Sequence, residues 1–429
     1  MNHSQALQYL QSLTSLGWKL GLNKIRSLLA EFNNPHDQYP TIHIAGTNGK
    51  GSTSAMVESI LRSAGYKTGM LTSPHLVSIG ERIKYNGSAI SQGDLVYYIK
   101  RLQPFIKKYK CTFFEAVTAI AFVYFADQQV DIAIIEVGLG GRLDATNVIT
   151  PLISVITNVE IDHTKQLGLN RKNIAVEKAG IIKPNSICIT NSGSKSVNEI
   201  FSQICQDRRV EHIRVDQLLK VNKVELSEKI TSLDMAINGS IFPGLKLSLI
   251  GEHQIQNAAS AVTAINILSS RYLPLNVEDI YRGLLDVQLP GRLQTIALNP
   301  KIVIDVGHNP NCIVNIKKSL RTIFKYDRLF ILFGVCKDKN YPAMIKSLAP
   351  LADLFVATKA ATPRALSPKI ISSVALKYTD KIYKSKSTLE GLNFAQEQAK
   401  KNDLILCIGS HYLVSEIIAH FNKKPNQMI

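Results

Sequence analysis

No apolar run in this chain reaches the ~18 residues that a membrane-spanning helix needs, and residues 1–21 lack the basic start and unbroken apolar core of a secretory signal. Both absences predict a cytoplasmic protein that makes no use of a membrane. The six cysteines, Cys111, Cys188, Cys205, Cys312, Cys336 and Cys407, lie far apart with no C-x-x-C pair. That spacing argues against a disulfide framework and against a zinc site, and leaves them as small buried hydrophobes. Acidic residues are scarce, 33 against 50 Lys and Arg, for a formal net charge of +17. Such an excess suits either a nucleic acid or an enzyme that handles several anions at once. No RNA-binding aromatic motif, zinc finger or basic-heptad helix accompanies it, so no nucleic-acid partner is expected. Short internal repeats and low-complexity segments are also missing.

What is present is globular: 45% hydrophobic and 19% charged residues over 429 positions, enough chain for two domains with separate cores. Ile- and Val-rich runs at 41–45, 68–72, 131–137, 153–158 and 186–190 alternate with helix-like stretches. That is the pattern of an α/β domain with a mostly parallel sheet covered on both faces. Residues 211–251 break the alternation, and 246–250 suggests a small antiparallel addition. After Leu289-Pro290-Gly291-Arg292 the alternation restarts at 301–306, 328–333, 353–358 and 404–408, so a smaller Rossmann-like α/β domain is expected over 295–429, behind a first domain of 1–294.

The run Thr41-Ile42-His43-Ile44-Ala45 feeds directly into Gly46-Thr47-Asn48-Gly49-Lys50-Gly51-Ser52 and then into a helix-like stretch, 53–64. Glycines let backbone N–H groups approach phosphate oxygens, the helix start adds positive potential, Lys50 supplies a cation and Ser52 a hydroxyl for magnesium. The usual G-x-x-x-x-G-K-[ST] spacing is not met: one residue fewer separates Gly46 from Gly49, and Gly51 intervenes before the hydroxyl.

Further segments fall where strands should end: Thr72-Ser73-Pro74-His75-Leu76, the run from Glu136 through Gly140-Gly141-Arg142-Leu143-Asp144-Ala145-Thr146-Asn147, Asp162-His163-Thr164, and Glu177-Lys178-Ala179-Gly180. In an open parallel sheet ligands bind beyond the carboxyl ends of strands, so these can converge on the phosphate loop. Glu136 and the Ser73 hydroxyl suit magnesium, whereas His163 is a softer ligand. Taken singly, Phe113 and Phe114 read as core, and Ser73 before Pro74 as a turn.

Together with the later P-G-R and Asp305-Val306-Gly307-His308-Asn309-Pro310, these motifs stand in one order along nearly the whole chain. That order resembles the bifunctional dihydrofolate synthase/folylpolyglutamate synthase family, relatives of the Mur ligases. The resemblance implies that Asn48, Gly49, Lys50, Gly51 and Ser52 hold ATP, that Ser73, Glu136 and His163 bind two Mg2+ ions, and that Lys178 is carboxylated. Lys50, Lys178 and His163 are then the catalytic set. It further implies Asn257, Arg292, Asp305 and His308 on the nucleotide, in a cleft between domains. The pterin end would meet Leu20-Gly21-Leu22-Asn23, Thr112-Phe113-Phe114-Glu115 and Leu143-Asp144-Ala145, with Phe114 stacking on the flat ring. Arg364, in Thr362-Pro363-Arg364-Ala365, would meet a carboxylate on the glutamate side. Two positions depart from the family form: Gly307, where alanine is frequent, and Gly409-Ser410-His411-Tyr412.

The implied reaction is ATP-dependent ligation of L-glutamate to dihydropteroate and to tetrahydrofolate by a monomeric enzyme. A carboxylate resists attack by an amine until it is activated. ATP would convert it to an acyl phosphate, and the glutamate amine would then displace phosphate. The nearest rival is a Mur-type ligase acting on a nucleotide-linked muramyl peptide, but no extra N-terminal domain for the sugar nucleotide is visible. A phosphate-loop switch bound to nucleic acid leaves the downstream motifs unexplained.

Overall fold

The computed structural model describes residues 1–17 and 21–423. Eight strands, β1 Thr41–Ala45, β2 Thr68–Leu71, β3 Ile83–Tyr85, β4 Ser88–Ala89, β5 Ile132–Glu136, β6 Ile153–Ile156, β7 Ile187–Thr190 and β8 Glu211–Arg214, form one sheet in the order β4-β3-β2-β5-β1-β6-β7-β8. From β2 to β8 the pairings are parallel, while β3 and β4 add an antiparallel edge. Every residue of β1, β5 and β6 is buried, which is why these strands read as unbroken apolar runs. Three of the expected strands end early because Thr72, Val137, Thr157 and Asn158 leave the ladder to build the loops beyond it.

Residues 211–214 depart from the expectation for 211–251. They extend the main sheet as its outer strand, and with none of the four buried they carry no apolar signature. The rest of that region is the small addition expected there: β9 Leu219–Leu226, β10 Thr231–Ile237 and β11 Ser240–Leu247, in the order β11-β10-β9. In β10, Leu233, Met235 and Ile237 are buried in alternation with more exposed neighbours. Asn238 and Gly239, at φ 48° and 84°, make the two-residue turn that joins antiparallel strands.

The chain divides into two compact units. One comprises Met1–Lys223, Leu233–Lys246 and Ile255–Val287, the other Val224–Ser232, Leu247–Gln254 and Gln288–Ile429. The second contains β12 Gln294–Leu298, β13 Lys301–Asp305, β14 Leu329–Phe333, β15 Leu354–Ala357, β16 Ile382–Lys384 and β17 Leu404–Ile408, in the order β12-β13-β17-β14-β15-β16. All pairings there are parallel except β12 with β13. The outer strands β12 and β16 were not legible as strands, since an outer strand needs only one buried flank.

Helices cover the first sheet. In the helix Phe113–Asp127 every side chain from Glu115 to Phe125 is buried, and full burial of Phe122 and Phe125 stabilises the unit by about 2–3 kcal/mol each. Among the described residues no helix is long and apolar enough to cross a membrane.

Candidate active site

Because β1 lies between β5 and β6, the loops leaving the carboxyl ends of these three strands are neighbours, at the point where successive connections diverge to the two sides of the sheet. The phosphate loop leaves β1 through Gly46 (φ 156°) and enters the helix Lys50–Ser63 through Gly49 (φ 83°), three residues earlier than expected. Neither glycine can be replaced freely. A Cβ at Gly46 would lie 1.9 Å from Thr157 Oγ1, and one at Gly49 2.2 Å from Asn257 Oδ1. This places Asn257, on the helix Glu252–Arg271, against the loop.

The segment after β6 clasps the loop from below. Asn158 Oδ1 accepts from the backbone N–H groups of Thr47 (3.1 Å) and Asn48 (2.8 Å), and Thr157 Oγ1 donates to Asn48 O at 2.6 Å. Thr47 Oγ1 donates to Glu160 O and accepts from Glu160 N. Lys50 Nζ folds back to donate to Gly46 O at 3.1 Å. Ser52 is buried, and no side chain caps the helix start. Its first N–H groups are therefore directed into the loop, as an anion site requires.

Glu136, 4% exposed at the end of β5, accepts a hydrogen bond from Ser73 N at 3.0 Å, so the loop after β2 and the end of β5 meet at a carboxylate. His163 stands at φ 51° just before the short helix Thr164–Leu167, with its N–H on Asp162 Oδ1. Lys178 is 3% exposed in the last turn of the helix Arg171–Ala179. Burial, reinforced by the Lys50 ammonium and opposed by Asp162 and Asp144, lowers its pKa to about 7.

The turn that carries Lys178 is interlocked with the Gly140-Gly141-Arg142 segment. A Cβ at Gly141 would come 2.7 Å from Glu177 O, and one at Gly180 2.3 Å from Arg142 Cα. Arg142 N donates to Glu177 O, its guanidinium pairs with Glu177 Oε1 at 2.8 Å, and Asn147 Nδ2 bridges Arg142 O and Gly180 O. Two motifs remote in sequence thus form one rigid body.

On the proposed pterin side, Leu20 lies outside the described residues. Gly21 and Leu22 are partly exposed, and Asn23 is exposed at the start of the helix Asn23–Ala30. Thr112 and Glu115 form a reciprocal cap of the helix Phe113–Asp127, with Glu115 Oε2 accepting from Thr112 N and Oγ1, so both have a structural task. Phe113 lies under the Arg82 guanidinium, 5.3 Å from ring centroid to Cζ, and Arg82 donates to His75 Nδ1. Phe114 packs where a Cβ of Gly138 would otherwise sit. Asp144 is buried, which raises its pKa, and it accepts from Leu139 N, Thr146 N and Thr146 Oγ1. Leu143 is half-buried and Ala145 buried beside it.

In the second unit Asp305, at the end of β13, is buried with its pKa raised by desolvation against the pull of Arg292, and it accepts from Leu293 N (2.9 Å) and Gly307 N (2.6 Å). His308 bonds Val306 O through Nδ1, and its ring lies 5.2 Å from that of His411. A Cβ at Gly307 would lie 2.8 Å from Ile316 Cδ1 and 2.9 Å from Asp305 Oδ1. Arg364 does meet a carboxylate, but of its own unit: Nη2 is 3.1 Å from both oxygens of Asp338.

Residues overlooked in the sequence are those that hold others in place: Thr157, Asn158 and Glu160 under the loop, and His43, which bonds Thr146 Oγ1 at 2.9 Å inside the sheet. A polar Thr-Asn pair closing an apolar strand run was the available signal. The cysteines are a further case. Five are buried, as expected, yet Cys188 and Cys205 lie together with His212, a proximity that spacing along the chain conceals.

The sequence matches the Mur ligase middle domain over residues 44–265 and the Mur ligase glutamate ligase domain over residues 291–411. It is 30% identical over 423 residues to the dihydrofolate synthase/folylpolyglutamate synthase of Bacillus subtilis, covering 97% of this chain and 98% of that protein. The chain belongs to this family. Its fold superposes on Mycobacterium tuberculosis folylpolyglutamate synthase complexed with ADP with a TM-score of 0.91 at 29% identity, covering 98% of this chain and 99% of that one. Against E. coli FolC in complex with DHPP and ADP the TM-score is 0.89 at 26% identity, with 99% of each chain covered. The family's α/β architecture, a large mostly parallel sheet and a smaller second sheet, is the one described above.

Proposed function

We propose that this site activates a pteroate or folate carboxylate with ATP and joins it to L-glutamate. The chain is an ATP-dependent ligase of the dihydrofolate synthase/folylpolyglutamate synthase family. The observation that carries the residue-level reading is the uncapped, clasped phosphate loop with Lys50, beside the Glu136 carboxylate at the end of the next strand. Asn48, Gly49, Gly51 and Ser52 cradle the phosphates, Lys50 neutralises charge on the transferring group, and Asn257 fixes the nucleotide against Gly49. The γ-phosphorus bonds to a carboxylate oxygen as its bond to ADP breaks. The glutamate nitrogen then attacks the acyl carbon, phosphate leaves and the amine proton goes to solvent.

Mg2+ fits the donors. Glu136 and Ser73 offer hard oxygens at one strand end, and magnesium completes its shell with water and phosphate oxygens rather than demanding an all-protein cage. We assign Ser73, Glu136 and His163 to two such ions, which would supply charge neutralisation during phosphoryl transfer. A lysine near pKa 7 is partly neutral, so Lys178 can attack carbon dioxide, forming an N–C bond and releasing a proton; the carbamate then replaces a cation with an anion.

Within this reading the phosphate-cradling and pterin-contacting residues belong to 1–294, with the pterin against Leu22, Phe114 and Leu143-Asp144-Ala145. Residues 295–429 form the ligase domain, with Asp305 and His308 and, just before it, Arg292 on the nucleotide. The enzyme works as a monomer in the cytoplasm, which sedimentation and fractionation check. ADP release is to be measured with L-glutamate and either dihydropteroate or tetrahydrofolate, each substrate omitted in turn. Turnover that needs both glutamate and a pterin supports the proposal, and the preferred pterin separates single from dual activity. ADP release indifferent to them defeats it.

A further inference from the structure

Away from the phosphate loop, the edge of the first sheet brings together three side chains that the ligase chemistry does not use. Cys188 on β7 and His212 on β8 are register partners on adjacent parallel strands, so their side chains share one face. The helix Lys195–Arg208 packs against both strands and delivers Cys205 to the same point. The two sulfurs and a ring nitrogen all lie within 4.8 Å of one another, the one such triple of His, Cys, Asp or Glu among the described residues. With metal–sulfur bonds of about 2.3 Å and metal–nitrogen bonds of about 2.0 Å, ligand atoms around one ion stand about 3.5–4 Å apart, so small side-chain rotations close the site.

The surroundings are those of a ligand set. Cys188 and Cys205 are fully shielded, and no carboxylate is among the three. His212 has a hydroxyl on each ring nitrogen, Thr190 Oγ1 on Nε2 at 2.9 Å and Ser202 Oγ on Nδ1 at 3.2 Å. If one nitrogen exchanges its hydroxyl for a cation, the other keeps its partner, which holds the ring in place. The Arg208 guanidinium lies near both sulfurs. Arg208 is itself anchored on the carbonyls of Ala179 and Ile182.

We propose that Cys188, Cys205 and His212 form a second, non-catalytic site for a thiophilic d10 cation, Zn2+ or Cu+. Soft thiolates with imidazole select such ions over Mg2+. On binding, the two S–H bonds break heterolytically, both protons pass to solvent and the sulfur lone pairs bind the ion. No electron is transferred, so no oxidant is required. The ion would fasten the outer strand β8 to β7 and to the covering helix.

The test uses the full chain, reduced, freed of metal by a chelator and kept anaerobic. Co2+ as a spectroscopic stand-in for Zn2+, then Zn2+ itself, and in a separate arm Cu+ against a competing chelator, are titrated with readout of stoichiometry and melting temperature. One equivalent of Zn2+ or Cu+ per chain is expected, with thiolate-to-cobalt charge-transfer absorption in the Zn2+ arm, a raised melting temperature, and affinity that falls as pH falls because protons compete. Cys205→Ser should lower the charge-transfer absorption per bound cobalt to about half and weaken binding at least tenfold with glutamate-dependent ADP release unchanged, whereas Cys312→Ser, outside the cluster, should bind as the parent does. If Cys205→Ser does not fold, His212→Asn takes its place. No saturable binding by either ion, binding undiminished in the cluster variants, or a Cys188–Cys205 disulfide in the protein as isolated would each overturn the proposal.

Discussion

Two lysines, each beside a glycine that its neighbours crowd, occupy opposite ends of two helices. Lys50 opens the helix Lys50–Ser63, partly exposed, with its ammonium on the Gly46 carbonyl. Lys178 closes the helix Arg171–Ala179, buried, with its pKa lowered to about 7. A helix C-terminus ordinarily favours a cation. Burial outweighs that preference here, since desolvating an ammonium costs more than the ~0.3–1 kcal/mol a helix dipole returns. One position is built to present a cation and the other to suppress one.

That contrast can be broken by experiment. Lys50→Met should lower kcat for glutamate-dependent ADP release about 1000-fold, the loss expected when a preorganised charge is removed from a developing anion. If the loss is less than about tenfold, Lys50 does not neutralise the transferring group. Lys178→Met addresses the other half. Between pH 7 and 10.5 the unfolded chain holds a proton that folded Lys178 does not, so this residue makes stability rise with pH across that window, and below it the full penalty remains. In carbon dioxide-free urea melts the variant should therefore gain on the parent by up to about 4 kcal/mol at pH 7, and by almost nothing near pH 10. An equal difference at both pH values would mean that Lys178 is an ordinary solvated lysine.

The glycines sharpen the comparison. Gly180→Ala drives a Cβ to 2.3 Å from Arg142 Cα, which is backbone and cannot rotate away, and should cost about 3 kcal/mol in thermal unfolding. Asn158→Ala removes the acceptor for two loop amides while leaving the fold, and should raise KM for ATP about tenfold with a smaller change in kcat. Arg364→Ala is expected to change KM for glutamate by no more than about twofold, because its guanidinium is occupied by Asp338. A larger change would show that Asp338 yields it to the substrate.

The buried strands of both sheets were legible because an unbroken run such as Ile132–Glu136 has no competing explanation, and the phosphate loop because strand, glycines and helix adjoin in the chain. Outer strands such as Glu211–Arg214 were not, since half of their surface faces solvent. The candidate site divides along the same line. Residues in glycine-rich motifs, Lys50 and Lys178 among them, could be named from the sequence. The side chains that hold those motifs, Asn158 under the loop and Asn147 across the Arg142–Gly180 contact, act over separations of 110 residues and 5 and 33 residues. Only the fold brings such partners together.

The position of β1 has a consequence for how this unit responds to its nucleotide. With β5 on one flank and β6 on the other, its amides are shielded on both sides, and the loop has no fraying edge through which to come loose. In native-state hydrogen exchange, Ile42 to Ile44 should open only with the sheet as a whole. A ligand seated on the loop then protects the entire first unit, so ATP should slow exchange at β7 as well as at its own contacts, and the apparent melting temperature should climb with nucleotide concentration.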